Sequence, residues 1–284
     1  MPQRIIVITG ASDGIGAAAA RNLAEAGERV AVVGRSPEKT KAVAAELGAD
    51  YFVTDFAELS QVRDLAAALK EKYSRIDVLV NNAGGIMGQR QLTLDGHEKT
   101  FQINHLAPFL LTTELMDVLV ASRATVINTS SAANAFGNLD LADLHSARKY
   151  STNRAYGTAK LANILFTSEL QNRFGAAGIS TAAFHPGVVA TNFAAESTSW
   201  MRHAYKTFIN RFLLTSEQGA DTLVWLATST PGKEWVSGAY YAKRALAQAN
   251  KQAYDADLAR ELWERSEEMV NAGETAEKPE LDPR

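Results

Sequence analysis

The chain of 284 residues has no cysteine, which excludes disulfides, thiolate metal sites and thiol catalysis together and suits a reducing compartment. It also has no excess of one charge, because 29 Lys and Arg stand against 32 Asp and Glu for a formal charge of −3. No broad basic field is present to hold nucleic acid or an anionic membrane. No apolar run approaches the roughly 18 residues that a spanning helix needs, since Gly, Asn or a charge interrupts each one. Repeats, low-complexity tracts and Pro/Ser-rich linkers are missing before Gly273. Met1–Arg4 runs straight into Ile5–Ile8 and Thr9-Gly10, which leaves no room for a secretory leader. The expectation is a soluble, cytoplasmic protein with no membrane span, no metal site and no nucleic-acid partner.

Hydrophobic residues make up 46% and charged residues 21%, so the chain can bury an ordinary globular core. Short β-branched runs at Arg4–Thr9, Arg29–Val33, Tyr51–Val53, Ile76–Val80, Ala124–Asn128, Ile179–Phe184 and Val236–Tyr241 read as strands. Helical periodicity fills the intervals, as in Ile15–Ala26, Glu38–Leu47, Leu59–Lys72 and Ala155–Phe174. Such alternation, with nearly continuous apolar strands, predicts a doubly wound α/β fold of the Rossmann type: one mostly parallel sheet with helices on both faces. One domain over residues 1–273 is expected, followed by a polar flexible tail at 274–284. Two stretches break the alternation, Ala132–Arg154 and Asn192–Ser216. Both follow strand ends, where this architecture places its ligands. The second carries Phe193, Trp200, Met201, Tyr205, Phe208 and Phe212 among Arg202, Lys206 and Arg211. It reads as a lid over an apolar small-molecule substrate, as a peripheral membrane contact, or as packing.

Thr9-Gly10-Ala11-Ser12-Asp13-Gly14-Ile15-Gly16 lies between the first strand and the first helix. Glycines there let the backbone turn tightly against a pyrophosphate, and the opening helix aims free N–H groups at the anion. Gly34 stands where an NAD-binding chain carries its acid, and Arg35 and Ser36 follow it. A guanidinium fits a 2′-phosphate that a carboxylate would repel, so NADP(H) is expected, with Ser36 and Lys39 assisting. A solvated Arg35 is the alternative. Tyr156 and Lys160 fall four apart in a helical pattern and share one face, where an ammonium would lower the phenol toward working pH.

In this order the motifs resemble those of the short-chain dehydrogenase/reductase family, in its NADP-dependent, retinol-dehydrogenase-like branch. The resemblance rests on the TGxxxGxG turn, Asn81-Asn82-Ala83-Gly84, Asn104-His105-Leu106, Ser130-Ser131, Tyr156 ahead of Lys160-Leu161-Ala162-Asn163, and His185-Pro186-Gly187. It implies an oxidoreductase that moves hydride between a nicotinamide and a carbonyl/alcohol pair. Asn104, Ser131, Tyr156 and Lys160 would be its catalytic residues. Gly10, Ser12, Asp13, Gly14, Ile15, Gly16, Asn82, Ala83, Gly84, Tyr156 and Lys160 would contact the cofactor, as would Pro186, Gly187, Val188, Val189 and Thr191. Asp55 and Phe56 would meet the adenine, although Asp55 also suits a helix N-cap. In the family the Asn104 carbonyl holds a water that links Lys160 to solvent. Pro108 adds a physical argument, because it has no N–H for that carbonyl and its ring presses against it; a kink for packing is the alternative. Ala159, Ala107 and Pro108 depart from the branch and loosen any inference about its substrate. The resemblance implies a monomer or homodimer, since the helices around Asn104 and Tyr156 form a dimer interface in many members of the family, though not all. A nucleotide-sensing protein without turnover is the rival reading, and the retained Tyr156 and Lys160 weigh against it.

Overall fold

The computed structural model describes residues 3–187 and 214–272. Among them the strands are β1 Ile5–Thr9, β2 Arg29–Gly34, β3 Asp50–Val53, β4 Val78–Asn81, β5 Thr125–Thr129, β6 Ser180–Phe184, β7 Ala239–Ala242 and β8 Ala245–Leu246. They form one sheet in the order β3-β2-β1-β4-β5-β6-β7-β8. Every neighbouring pair is parallel except β7 with β8. The helices are α1 Gly14–Glu25, α2 Pro37–Leu47, α3 Leu59–Lys72, α4 Lys99–Glu114, α5 Met116–Ser122, α6 Thr152–Phe174, α7 Ser216–Thr228 and α8 Ala256–Asn271.

The central strands are apolar throughout because both their faces are covered. Ile6 and Ile8 of β1 and Val30 and Val32 of β2 join one buried cluster, while Val7, Ala31 and Val33 join another on the opposite face. This is the period-two alternation of a pleated strand read between two helical layers. The first layer is α1, α2 and α7; the run Ala17-Ala18-Ala19-Ala20 in α1 lets that helix lie close to the sheet and to α7. The second layer is α3, α4, α6 and α8. The sheet order turns back between β1 and β4, which opens a crevice at the carboxyl ends of the strands.

Helix α6 is buried nearly all round, because α8 packs against its outer side and against α4. Trp263 of α8 fixes that contact, with its ring 5.0 Å from Phe109, 5.7 Å from Phe166 and 6.1 Å from Phe174. Part of the outer face of α4 and α6 is thus covered by the chain itself. Among the described residues no single helix is long and apolar enough to cross a membrane.

Several boundaries differ from the sequence reading. The last long strand begins at Ala239 rather than Val236, because Gly238 turns the chain at φ +84° and leaves Val236 exposed before it. The stretch 132–154 contains 3-10 turns at Ala132–Phe136 and Leu141–Asp143, and its last residues already belong to α6. Of the segment 192–216 only 214–216 is described; there Thr215 caps α7 in a reciprocal box with Gln218. Val188, Val189, Thr191 and the tail 274–284 lie outside the described residues.

Replacing Trp263 with Ala should cost about 3–5 kcal/mol of unfolding free energy, the usual loss for a buried aromatic. Denaturant titration followed by far-ultraviolet circular dichroism reads it.

Candidate active site

The glycine turn between β1 and α1 is shaped by approaches that only glycine permits. Gly10 sits at φ +65°, and a Cβ added there would stand 2.8 Å from the Ala83 Cα. One added to Gly16 would stand 2.3 Å from the Gly10 carbonyl oxygen. The Thr9 hydroxyl accepts the backbone N–H of Asn82 at 2.9 Å and of Ala83 at 3.0 Å, and donates to the Val80 carbonyl at 3.1 Å. Asn82 Nδ2 answers with a bond to the Thr9 carbonyl at 3.0 Å. The turns after β1 and β4 are therefore stitched together at the floor of the crevice.

That crevice has a volume of about 590 Å³. Gly10, Ser12, Asp13, Gly14, Ile15 and Gly16 line it beside Arg35, Ser36, Asp55 and Phe56. Asn82, Ala83, Gly84, Ser131, Tyr156, Lys160, Pro186 and Gly187 complete the set expected from sequence. Asn104 stands one layer behind, where a Cβ on Gly84 would meet its Oδ1 at 2.5 Å and the Lys160 Nζ at 3.1 Å. The size of the cleft, the side-chain-free cradle and the N-terminus of α1 aimed into it fit a nicotinamide dinucleotide.

At the far end of the cleft Gly34 is closed in, since an added Cβ would lie 2.5 Å from Thr40 Oγ1 and 2.7 Å from Ser12 Cβ. Arg35 is exposed there. Ser36 caps α2 by accepting the Lys39 N–H at 3.4 Å, and the Lys39 ammonium pairs with Asp13 at 2.8 Å. Asp55 is not the N-cap of α3. Its carboxylate closes a local turn on the Ala57 N–H at 2.9 Å, and the first N–H of α3, at Leu59, goes to Asp95 at 3.0 Å.

At the other end, α6 carries Tyr156 and Lys160 on one face, and the Tyr156 hydroxyl is hydrogen-bonded to the Ser131 side chain. Ser131 also caps the 3-10 turn after β5, while Ser130 points away and donates to the Lys160 carbonyl at 2.7 Å. The Lys160 Nζ lies 5.6 Å from the Tyr156 ring centroid and donates to the Thr129 carbonyl at 3.0 Å. In the free protein the four-residue spacing does not by itself acidify the phenol. Burial pushes Tyr156 well above the ordinary phenol range, against a smaller downward pull from Ser131. The same burial lowers the Lys160 amine to about 7. The amine spends its hydrogen bond on a carbonyl and loses much of its own charge, so the cationic help expected from the four-residue spacing is muted in the free protein.

Pro108 does leave the Asn104 carbonyl without an α-helical partner, and α4 widens into a π-turn over Gln102–Leu106, where Ala107 N–H reaches back to the Gln102 carbonyl. The freed oxygen accepts the Asn163 side-chain amide at 3.0 Å. The Asn104 side chain holds the loop after β4, donating to the Gly85 carbonyl at 2.9 Å and accepting the Gly85 N–H at 3.1 Å. His185 accepts the Gly187 N–H at 3.1 Å, a structural role. Sequence reasoning missed the apolar wall of Ile86, Met87 and Ile103. Ile86 and Met87 directly follow the glycines after β4, and that adjacency was the available signal. Asn163 closes the motif that begins at Lys160, which gives no sign of the bonds its side chain makes.

Comparison with known proteins points one way. The profile described as short chain dehydrogenase matches residues 4–202. The chain is 43% identical over 283 residues to a candidate daunorubicin C-13 ketoreductase of Streptomyces sp. (strain C5), covering 97% of this chain and 95% of that one. It is 34% identical over 278 residues to retinol dehydrogenase 11 of Homo sapiens, covering 95% and 86%. A crystal structure of an uncharacterised protein from Mycobacterium paratuberculosis superposes with a TM-score of 0.76 at 33% identity, covering 95% of this chain and 94% of that one.

A buried lysine at about 7 leaves a stability signature. The unfolded chain, titrating near its ordinary 10.5, binds more protons than the folded one between those values, so stability rises with pH across that window. The melting temperature of the cofactor-free protein should therefore climb by a few degrees relative to Lys160→Met as pH goes from about 7 to about 10, tyrosine ionisation near the upper end being common to both proteins. Parallel curves for the two proteins contradict this.

Proposed function

The chain belongs to the short-chain dehydrogenase family and is an oxidoreductase that moves hydride between a nicotinamide cofactor and a carbonyl/alcohol pair; from that premise we propose that the cofactor is NADP(H) and the substrate an apolar aldehyde or ketone. The observation that carries the cofactor choice is the closed position 34 beside Arg35. No carboxylate can point from that site toward a ribose 2′-hydroxyl, because Ser12 and Thr40 fill the space. Arg35, at the rim, offers a planar fork suited to a phosphate. Ser36 and Lys39 border the same corner. The wall of Ile86, Met87 and Ile103 supports an apolar substrate.

When bound, the nicotinamide supplies the hydride in reduction and takes it up in oxidation. Tyr156 Oη gives its proton to the carbonyl oxygen as that oxygen becomes an alcohol. The phenol is protonated at neutral pH, as this step needs. Ser131 Oγ, already bonded to Tyr156, holds the same substrate oxygen. Lys160 Nζ would hold the ribose, and its amine, titrating near neutrality, can both accept and release a proton on the route that refills Tyr156. The Asn104 carbonyl keeps one lone pair beyond the Asn163 bond, enough to anchor a water on the path to solvent. The chain orients and excludes water; the redox chemistry is the cofactor's.

NADPH absorbance followed against a panel of apolar aldehydes, ketones and quinones tests the reading, and a folded protein inert to all of them opposes it. With an active substrate, Tyr156→Phe should cut kcat by about 10²–10⁴ while NADPH still binds, the range for losing a general acid. Arg35→Ala should raise the KM for NADPH about tenfold or more and leave that for NADH nearly unchanged, the signature of a lost charge-assisted contact. An equal rise for both cofactors refutes the NADP(H) assignment.

A further inference from the structure

Behind the cleft lies a buried polar chain of which the mechanism above uses only the Asn104 carbonyl. Asn163, one turn after Lys160 on α6, donates from Nδ2 to the Asn104 carbonyl at 3.0 Å and to the Thr129 carbonyl at 3.1 Å. An amide nitrogen has two hydrogens, and both are spent. Asn163 Oδ1 then faces His105 Nδ1 at 3.3 Å, and His105 Nε2 faces the Ser266 hydroxyl of α8 at 2.9 Å. An amide oxygen can only accept, so the imidazole carries its proton on Nδ1. Nε2 is left with a lone pair and accepts from Ser266. Burial holds the ring neutral, with its titration lowered to about 4. Flipping the Asn163 amide would set its oxygen against two carbonyl oxygens, so each donor in the chain has one place to go. Asn163 is 2% exposed, and His105 and Ser266 are 0% exposed.

The Thr129 carbonyl also accepts the Lys160 ammonium at 3.0 Å, so both its lone pairs are taken, one by the lysine and one by Asn163. We propose that Asn163 is a positioning residue for Lys160, its amide locked by His105 and Ser266 so that helix α8 helps place the active-site lysine. The proposal rests on the reading of Lys160 as the partner of Tyr156. Without the amide, the Asn104 carbonyl, denied a helical donor by Pro108, must find a new partner, and the end of β5 loses the donor it shares with the lysine, which shifts with it. The Thr129 oxygen is then free to serve the ammonium alone, which favours the charged amine. Tyr156 on the same helix and His105 on the π-turn are titratable groups that face it.

The test reads the Lys160 titration in the cofactor-free protein by 13C NMR at Cε, alongside kcat and its pH profile with NADPH and an active carbonyl substrate. Asn163→Leu removes both donors at similar size; it should lower kcat about tenfold with little change in KM. It should also move the Lys160 titration upward by about half a pH unit or more. His105→Leu should follow it, whereas His105→Asn, which keeps a donor where Nδ1–H stood, should recover kcat to within about threefold of the wild type. Ser266→Ala, the mildest change, should shift the titration in the same direction and covers the case in which Asn163→Leu does not fold. An unmoved lysine titration in Asn163→Leu or Ser266→Ala, or equal losses in His105→Asn and His105→Leu, overturns the proposal. Turnover surviving in Lys160→Met would instead bring down the underlying reading of the lysine.

Discussion

One buried hydroxyl, that of Thr9, joins the two halves of the cleft. β1 and β4 are neighbours whose chains leave in opposite directions along the sheet, and nothing in the strand ladder ties together the turns beyond their ends. Thr9 accepts from two successive backbone N–H groups of the β4 turn and donates to the strand before it. The close approach this enforces accounts for the side-chain-free residues around it: Gly10 lies against Ala83, and Gly84 against Asn104 and Lys160. A cradle able to take a pyrophosphate follows from that stitching, because backbone rather than side chain is left facing the opening of α1.

The same compactness governs the charges. Lys160 is almost wholly buried, with one carbonyl to hold its amine, and Tyr156 is held as a neutral phenol. Desolvation outweighs the attraction between the two, since a cation half removed by its surroundings has little to offer a phenol that makes its own bond to Ser131. On the proposed reading, acceptors brought by a ribose would favour the charged amine, so proton traffic would be coupled to occupancy of the cleft.

The fold was largely legible in the residues. Apolar runs such as Ile5–Ile8 and Val30–Val33 could only be strands covered on both faces, and Leu59–Lys72 marks a helix to its last residue. The glycine turn, the Asn82 turn, Ser131, Tyr156 and Lys160 were legible because each motif stands immediately after a strand or at helical spacing. What escaped depended on partners distant in the chain. Asp55 looked like a cap until Asp95, forty positions later, supplied the bond to α3. The acid–base balance of Tyr156 and Lys160 depends on burial contributed by the whole second layer, which four-residue spacing does not encode. Asn163 and His105 are linked only when α4, α6 and α8 come together, and Ser266 carries no local sign of that contact.

The π-turn at Gln102–Leu106 carries a consequence for how α4 tolerates change in length. A π-turn holds one residue more than an α-helical turn spanning the same bond pattern, so deleting a single position there could restore a regular helix without breaking the element. The flanking turns would keep their phase, since a π-turn takes up its extra residue locally, but the residues inside the turn would lose their present directions. Asn104, inside the turn, would leave Gly85 and Asn163, while Phe109 beyond it kept its place against Trp263. The extra residue acts as a gear, letting one helix present its amide to the cleft and its aromatic ring to α8.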